Sequence, residues 1–249
     1  NGHADWENMR SFLTLMDIAR ILGRSLPDTE RILSRSRLDS RLISGERHWV
    51  RDEVLAWLER EFDSLTVDRL RDMDLAGAAS TGLPSGSCFV TESLSPETVH
   101  PWVNANTASS MLRKLAGMAV ETGRTWDRRT LQEELEAREA AGSTALDNMV
   151  AFPHPRDVRK LYLEDDILIL ARTHHGIPFG AERGRLTSLF FLLAFRRPDT
   201  HLHFLARLNR MIREEAFVQA LLDAEDSMDM LQRVRARECE IVAENEGRD

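Results

Sequence analysis

The stretch REAAGSTALDNMVAFPHPR, residues 138–156, places one histidine, His154, at the end of a short apolar run, behind an Arg-Glu pair and a Ser-Thr pair. Val150, Ala151 and Phe152 read as a strand, so the imidazole is expected where extended chain leaves a sheet. Arg138 lies upstream and a second histidine, His201, is available downstream. A nucleophilic ring nitrogen, a cation and a hydrogen-bond donor are the ingredients of group transfer through a histidine. The plainer readings are a turn histidine whose ring caps a backbone group and an arginine favoured at a helix C-terminus by the helix dipole.

Apolar runs of strand length recur at residues 162–163, 167–171 and 189–194, all three rich in continuous apolar residues as buried strands are. Between and around them, Met111, Leu112, Leu115 and Met118, then Leu131 and Leu135, and later Phe217, Leu221, Leu222, Leu231 and Val234 recur at helical spacing. Ser95 and Ser109 are read as helix starts. Helices alternating with strands predict an α/β class.

The 138–156 block resembles the phosphorylation-site region of the enzyme IIA domains of the bacterial phosphotransferase system, in the fructose, mannitol and nitrogen-regulatory branch. Arg138, Glu139, Ser143, Thr144, Asn148, Val150, Ala151, Pro153, His154 and Arg156 match its pattern. The likeness continues through Ile177-Pro178-Phe179-Gly180-Ala181 and through the helix-like run from Thr200 to Leu208, and spans residues 88–247. It implies a mixed β-sheet flanked by helices. It also implies that His154 takes a phosphoryl group from an HPr-type phosphocarrier, with His201 donating a hydrogen bond to the phosphoryl oxygens and Arg138 offsetting their charge. Ser143, Thr144 and Asn148 are carried over as phosphate-binding support. No cofactor is implied. His174, His175 and His203 lie near in sequence, but His201 and His203 stand two apart on a helix and point away from one another, so no metal site is expected.

The chain departs from the family pattern at Ala145, Asp147 and Met149, where glycines are usual, and at Pro155 after the histidine. Lost glycines restrict backbone approach to a phosphate, Asp147 adds a carboxylate, and Pro155 removes an N–H donor. These changes move the expected role from sugar transport, as a transport IIA component, toward regulation. They also raise an alternative: an adaptor that binds regulatory protein targets without being phosphorylated.

Toward the N-terminus, Ile18, Ala19 and Leu22 share a helical face that ends at Gly23, and Ser25-Leu26-Pro27-Asp28 opens a second helix reaching about Ser36. The pair is expected to bury Ile18, Leu22, Ile32 and Leu33 together. Residues 41–43 and 48–50 read as a hairpin, and a last helix starts at Arg51. Leu13, Thr14, Ala19, Leu22, Gly23, Ser25, Arg31, Gly45, Trp49, Asp52, Trp57 and Leu58 resemble the excisionase and MerR-type winged helix-turn-helix modules. That resemblance implies a small, mainly α domain over residues 10–62 that binds DNA. Thr29 or Arg31 would reach base edges, and Arg31, Arg35, Arg37, Arg41, Arg47 and His48 would form one face toward phosphates. The alternative is a solvated face on a protein-binding module. One such module binds weakly, so tight binding is expected to need a homodimer or a partner. The small-residue run at 77–87 reads as flexible, which makes residues 63–87 a linker.

The 249 residues carry a formal net charge of −8, with 42% hydrophobic and 30% charged residues, which argues against nucleic-acid binding over the whole surface and leaves room for a local basic face. No apolar run is long enough to span a bilayer, and residues 1–9 lack the apolar core of a signal peptide. Cys88 and Cys239 are far apart in sequence without a partner motif, and a reduced, cytoplasmic setting is expected.

Overall fold

A computed structural model describes residues 12–246. The outermost positions of the expected 10–62 and 88–247 domains lie outside the described residues. The described residues form two compact units: residues 12–85 together with Leu202–Asn209, and residues 86–201 together with residues 210–246.

In the first unit the order is β1 (Phe12–Thr14), α1 (Leu15–Leu22), α2 (Leu26–Leu33), β2 (Ser40–Ile43), β3 (Glu46–Val50), α3 (Arg51–Glu61) and α4 (Val67–Thr81). The signals that start and stop α1 and α2 are local. Thr14 and Asp17 form a capping box, Gly23 closes α1 at φ 60°, and Ser25 caps α2 through the Asp28 N–H. Ser44 and Gly45 both have positive φ, 53° and 86°, as the two-residue hairpin between β2 and β3 requires. The antiparallel sheet runs β1-β3-β2. Ile18, Leu22 and Leu33 are buried as expected, with Trp49, Val54, Trp57 and Leu58, whereas Ile32 is only half-buried.

The expected linker is largely helix. α4 is capped by Thr66, which accepts from the Arg69 N–H, and ends at Gly82 with φ 75°. Gly77 serves close packing: a Cβ there would stand 2.5 Å from Cγ of His203, a residue of the helix Pro198–Ile212. Beside it Asp74, fully buried, accepts from Arg207 Nε at 2.7 Å, with His203 Nε2 3.1 Å from its other oxygen. His203 Nδ1 meets the Thr81 hydroxyl at 2.9 Å, and Arg207 also donates to the Ser85 carbonyl. Charge-assisted hydrogen bonds on every side are what keep a buried carboxylate stable.

The second unit contains α5 (Phe89–Glu92), β4 (Val99–Val103), α6 (Ala108–Glu121), α7 (Arg128–Ala140), β5 (Val150–Ala151), β6 (Ile167–Ile177), β7 (Thr187–Ala194), the flanking turns of α8 (Pro198–Ile212), α9 (Glu215–Asp223) and α10 (Ser227–Glu246). Its mixed sheet runs β4-β6-β7-β5, with β6 and β7 antiparallel and the two outer strands each parallel to their neighbour. Every residue of β7 is buried, which is why residues 189–194 read as continuously apolar. Met111, Leu115, Leu131 and Leu135 from α6 and α7 share a core with Ile167, Ile169, Phe190 and Leu192. The strand expected at 162–163 does not form; Tyr162 stacks on Trp126, ring centroids 3.7 Å apart, and its carbonyl accepts from Thr125. The helix expected at Ser95 is a single 3-10 turn, Pro96–Thr98, leading into β4. Among the described residues, no helix is long and apolar enough to cross a membrane.

Candidate functional site

β5 is two residues long, parallel to β7 at the sheet edge, and the chain leaves it through Phe152, Pro153 and His154. Phe152 packs on Phe191, and the Pro153 carbonyl accepts from the Leu193 N–H, so the chain stays anchored up to the residue before the histidine. The two ring nitrogens of His154 meet different partners. Nδ1 is 2.8 Å from the Phe152 carbonyl, which can only accept, and Nε2 receives Arg138 Nε at 2.8 Å, which can only donate. Both contacts demand one tautomer, with the proton on Nδ1 and the lone pair on Nε2. Arg138 sits in the last turn of α7 and also donates to the Gly142 carbonyl, so it closes the helix end and orients the ring at once. His201, on α8, brings its ring centroid to 4.8 Å from that of His154 at an interplanar angle of 55°. His154 is buried, 5% exposed, and His201 is half-buried. The three residues expected to act together are therefore adjacent, and His203 turns away to Asp74.

The loop before β5 is held by Glu139. Its carboxylate accepts from the Thr144 N–H at 3.0 Å, the Thr144 hydroxyl at 2.7 Å and the Ser143 hydroxyl at 2.6 Å. The Ser143 hydroxyl also lies 2.7 Å from the Phe179 carbonyl. Ser143 and Thr144, expected to support a phosphate, thus have their hydroxyls committed to loop contacts, and the Asn148 amide donates to the Ile212 carbonyl. Met149 keeps the left-handed backbone that glycine normally supplies, φ 69°, and its carbonyl accepts from Ser188 and Leu189. Asp147, expected to repel a phosphoryl group, is neutralised by Arg183, whose Nε is 3.1 Å from Oδ2 and whose backbone N–H donates to Oδ1. After Pro155, Glu134 fixes the chain: its backbone carbonyl accepts from the Arg156 N–H and its buried carboxylate from the Asp157 N–H. Sequence reasoning left Glu134 and Glu139 without roles. Glu139 was detectable as a carboxylate one helical turn before Ser143, on the side of Arg138.

In the first unit the expected basic face is only partly assembled. Thr29 is fully buried and donates to the Ser25 carbonyl, so it cannot reach a base edge. Arg31 is exposed and pairs with Asp28 at 3.3 Å. Strand register pairs Arg41 with His48 and Leu42 with Arg47, which puts Arg41 and Arg47 on opposite faces of the hairpin. Arg31 and Arg35 instead join Arg37, Arg60 and Arg69 around a cavity of about 530 Å³, with Asp28 and Glu61 as its acids.

The second unit, with its mixed sheet and a histidine at the exit of the edge strand, has the fold of IIA domains. The nitrogen regulatory protein IIA-Ntr from Neisseria meningitidis shares the fold at TM-score 0.54 and 21% identity, over 59% of this chain and 99% of that one. The mannitol enzyme IIA from Escherichia coli, solved in complex with phosphorylated enzyme IIB, shares it at TM-score 0.51 and 18% identity, over 57% and 97%. Residues 92–236 match the family described as phosphoenolpyruvate-dependent sugar phosphotransferase system, EIIA 2, and the chain belongs to that family. A nitrogen regulatory protein of Bradyrhizobium diazoefficiens is 32% identical over 143 residues, 55% of this chain and 89% of its own length.

Proposed function

We propose that this chain is a regulatory IIA protein of the nitrogen-regulatory type, in which Nε2 of His154 accepts a phosphoryl group from a histidine of an HPr-type phosphocarrier. The observation that carries the reading is the tautomer: Nδ1 is tied to the Phe152 carbonyl, so the lone pair resides on Nε2, where Arg138 points. In the transfer a new N–P bond forms at Nε2 as the carrier's N–P bond breaks. Arg138 offsets the charge on the phosphoryl oxygens, and the His201 ring, 4.8 Å away, donates to them. The relation to nitrogen regulatory proteins supports a regulatory output over transport. Incubation of the full chain with phosphoenolpyruvate and the general phosphotransferase proteins should yield an acid-labile phosphate that is absent in His154→Ala.

The output we assign to the first unit is DNA binding, as a winged helix-turn-helix acting in a cytoplasmic homodimer. The order helix, turn, helix, hairpin, helix and the arginine-lined cavity support it. A salt-dependent gel shift weakened by Arg31→Ala and Arg35→Ala is expected, and no shift at low salt would oppose it. A second reading, a phosphorylation-independent adaptor for regulatory proteins, is favoured by the 5% exposure of His154. It predicts partner binding with no phosphate uptake.

A further inference from the structure

The two cysteines, 151 positions apart in sequence, lie with their sulfur atoms 3.4 Å apart. Cys88 caps the short helix α5 and is half-buried; Cys239, on α10, is exposed. Their approach is enforced by the residue beside Cys239. The fully buried Glu238 accepts from the Val90 N–H at 3.0 Å and from the Thr91 N–H and hydroxyl, each at 2.7 Å. A carboxylate gripping the turn that follows Cys88 holds the two thiols in register. Both cysteines fall just outside residues 92–236, which match the family, one on either side of them.

We propose that Cys88 and Cys239 form a reversible intramolecular disulfide, a modification site that takes its oxidising equivalents from a low-molecular-weight disulfide such as glutathione disulfide. The thiolate of the exposed Cys239 attacks one sulfur of the small disulfide, forming a mixed disulfide and expelling the first small thiol, which takes up the Cys239 proton. The Cys88 thiolate then attacks Cys239 Sγ, forms the protein disulfide and expels the second small thiol, which takes up the Cys88 proton. Two protein thiols lose two electrons and the small disulfide gains them. Because the thiols are already adjacent, the second step is intramolecular and outruns release of the mixed disulfide. Closing so long a loop restricts the unfolded chain, so oxidation stabilises the second unit.

The test equilibrates the full chain with glutathione disulfide under native conditions, traps remaining thiols by alkylation and digests the protein for mass spectrometry. The expected result is a monomer lighter by two hydrogens, a cross-linked peptide pair containing Cys88 and Cys239, and a rise in Tm on the order of 5 °C that dithiothreitol reverses. Cys88→Ser should stop at the mixed disulfide on Cys239, Cys239→Ser should lose that mixed disulfide as well, and neither should show the rise. A wild-type chain that stops at mixed disulfides, or that oxidises only to a covalent dimer, overturns the proposal without bearing on His154.

Discussion

Replacing Asp74 with alanine removes a fully buried carboxylate from between Arg207 Nε at 2.7 Å and His203 Nε2 at 3.1 Å. Charge-assisted hydrogen bonds contribute roughly 1.5–3 kcal/mol each. Breaking a buried pair by deleting one partner costs about 3–5 kcal/mol, because the remaining charge is left in a low-dielectric site. Here the lower end applies: Arg207 keeps the Ser85 carbonyl and His203 keeps the Thr81 hydroxyl. We expect a loss of about 3 kcal/mol, which for a chain of this size lowers Tm by roughly 6–12 °C. The two units need not unfold together, so amide exchange along α4 gives the local reading beside the melt. Asp74→Asn keeps the shape and one acceptor and should lose less than half as much. An Asp74→Ala chain that melts within about 2 °C of the parent, with α4 amides equally protected, would refute this assignment of the cluster.

Other substitutions probe separate parts of the structure. Gly77→Ala pushes a Cβ to 2.5 Å from a His203 ring that is pinned at both nitrogens, and should cost about 1–3 kcal/mol in urea unfolding. Glu139→Ala releases Thr144 at its N–H and hydroxyl and one of the two Ser143 hydroxyl contacts, and should cost about 1–3 kcal/mol in the same assay, with Glu139→Gln recovering part of it. Burial pushes the pKa of His100 below its ordinary value, and nearby Glu121 only partly opposes this. The unfolded chain therefore takes up the His100 proton near pH 6.5 while the folded chain does not. Stability should fall as pH drops through that value toward the lower folded pKa, and the Tm difference between pH 7.5 and pH 5.5 should shrink in His100→Asn.

The sequence reveals most where burial leaves a repeating mark. Residues 167–171 of β6 and 189–194 of β7 are continuous apolar runs because they are buried, and the His154 block carries its neighbours' identities in order. β4 escapes detection because an edge strand tolerates Pro101 and the polar His100, which erase the pattern. The small-residue run around Gly77 looks flexible in one dimension, yet Gly77 itself admits the His203 ring from far along the chain. Thr29 occupies the buried face of α2 one turn before Leu33, a periodicity that outweighs its polar character. Asp147 finds Arg183, and Cys88 finds Cys239, through tertiary proximity that sequence spacing does not encode.

The phosphorylated atom is the most direct test. The full chain, labelled with 15N and incubated with phosphoenolpyruvate, enzyme I and HPr, would be examined by long-range 1H–15N correlation to identify the substituted ring nitrogen. A phosphoryl group on Nε2 of His154, with Nδ1 still protonated against the Phe152 carbonyl, is the predicted result. Phosphate on Nδ1, on another residue, or no phosphate uptake by a folded chain would contradict it.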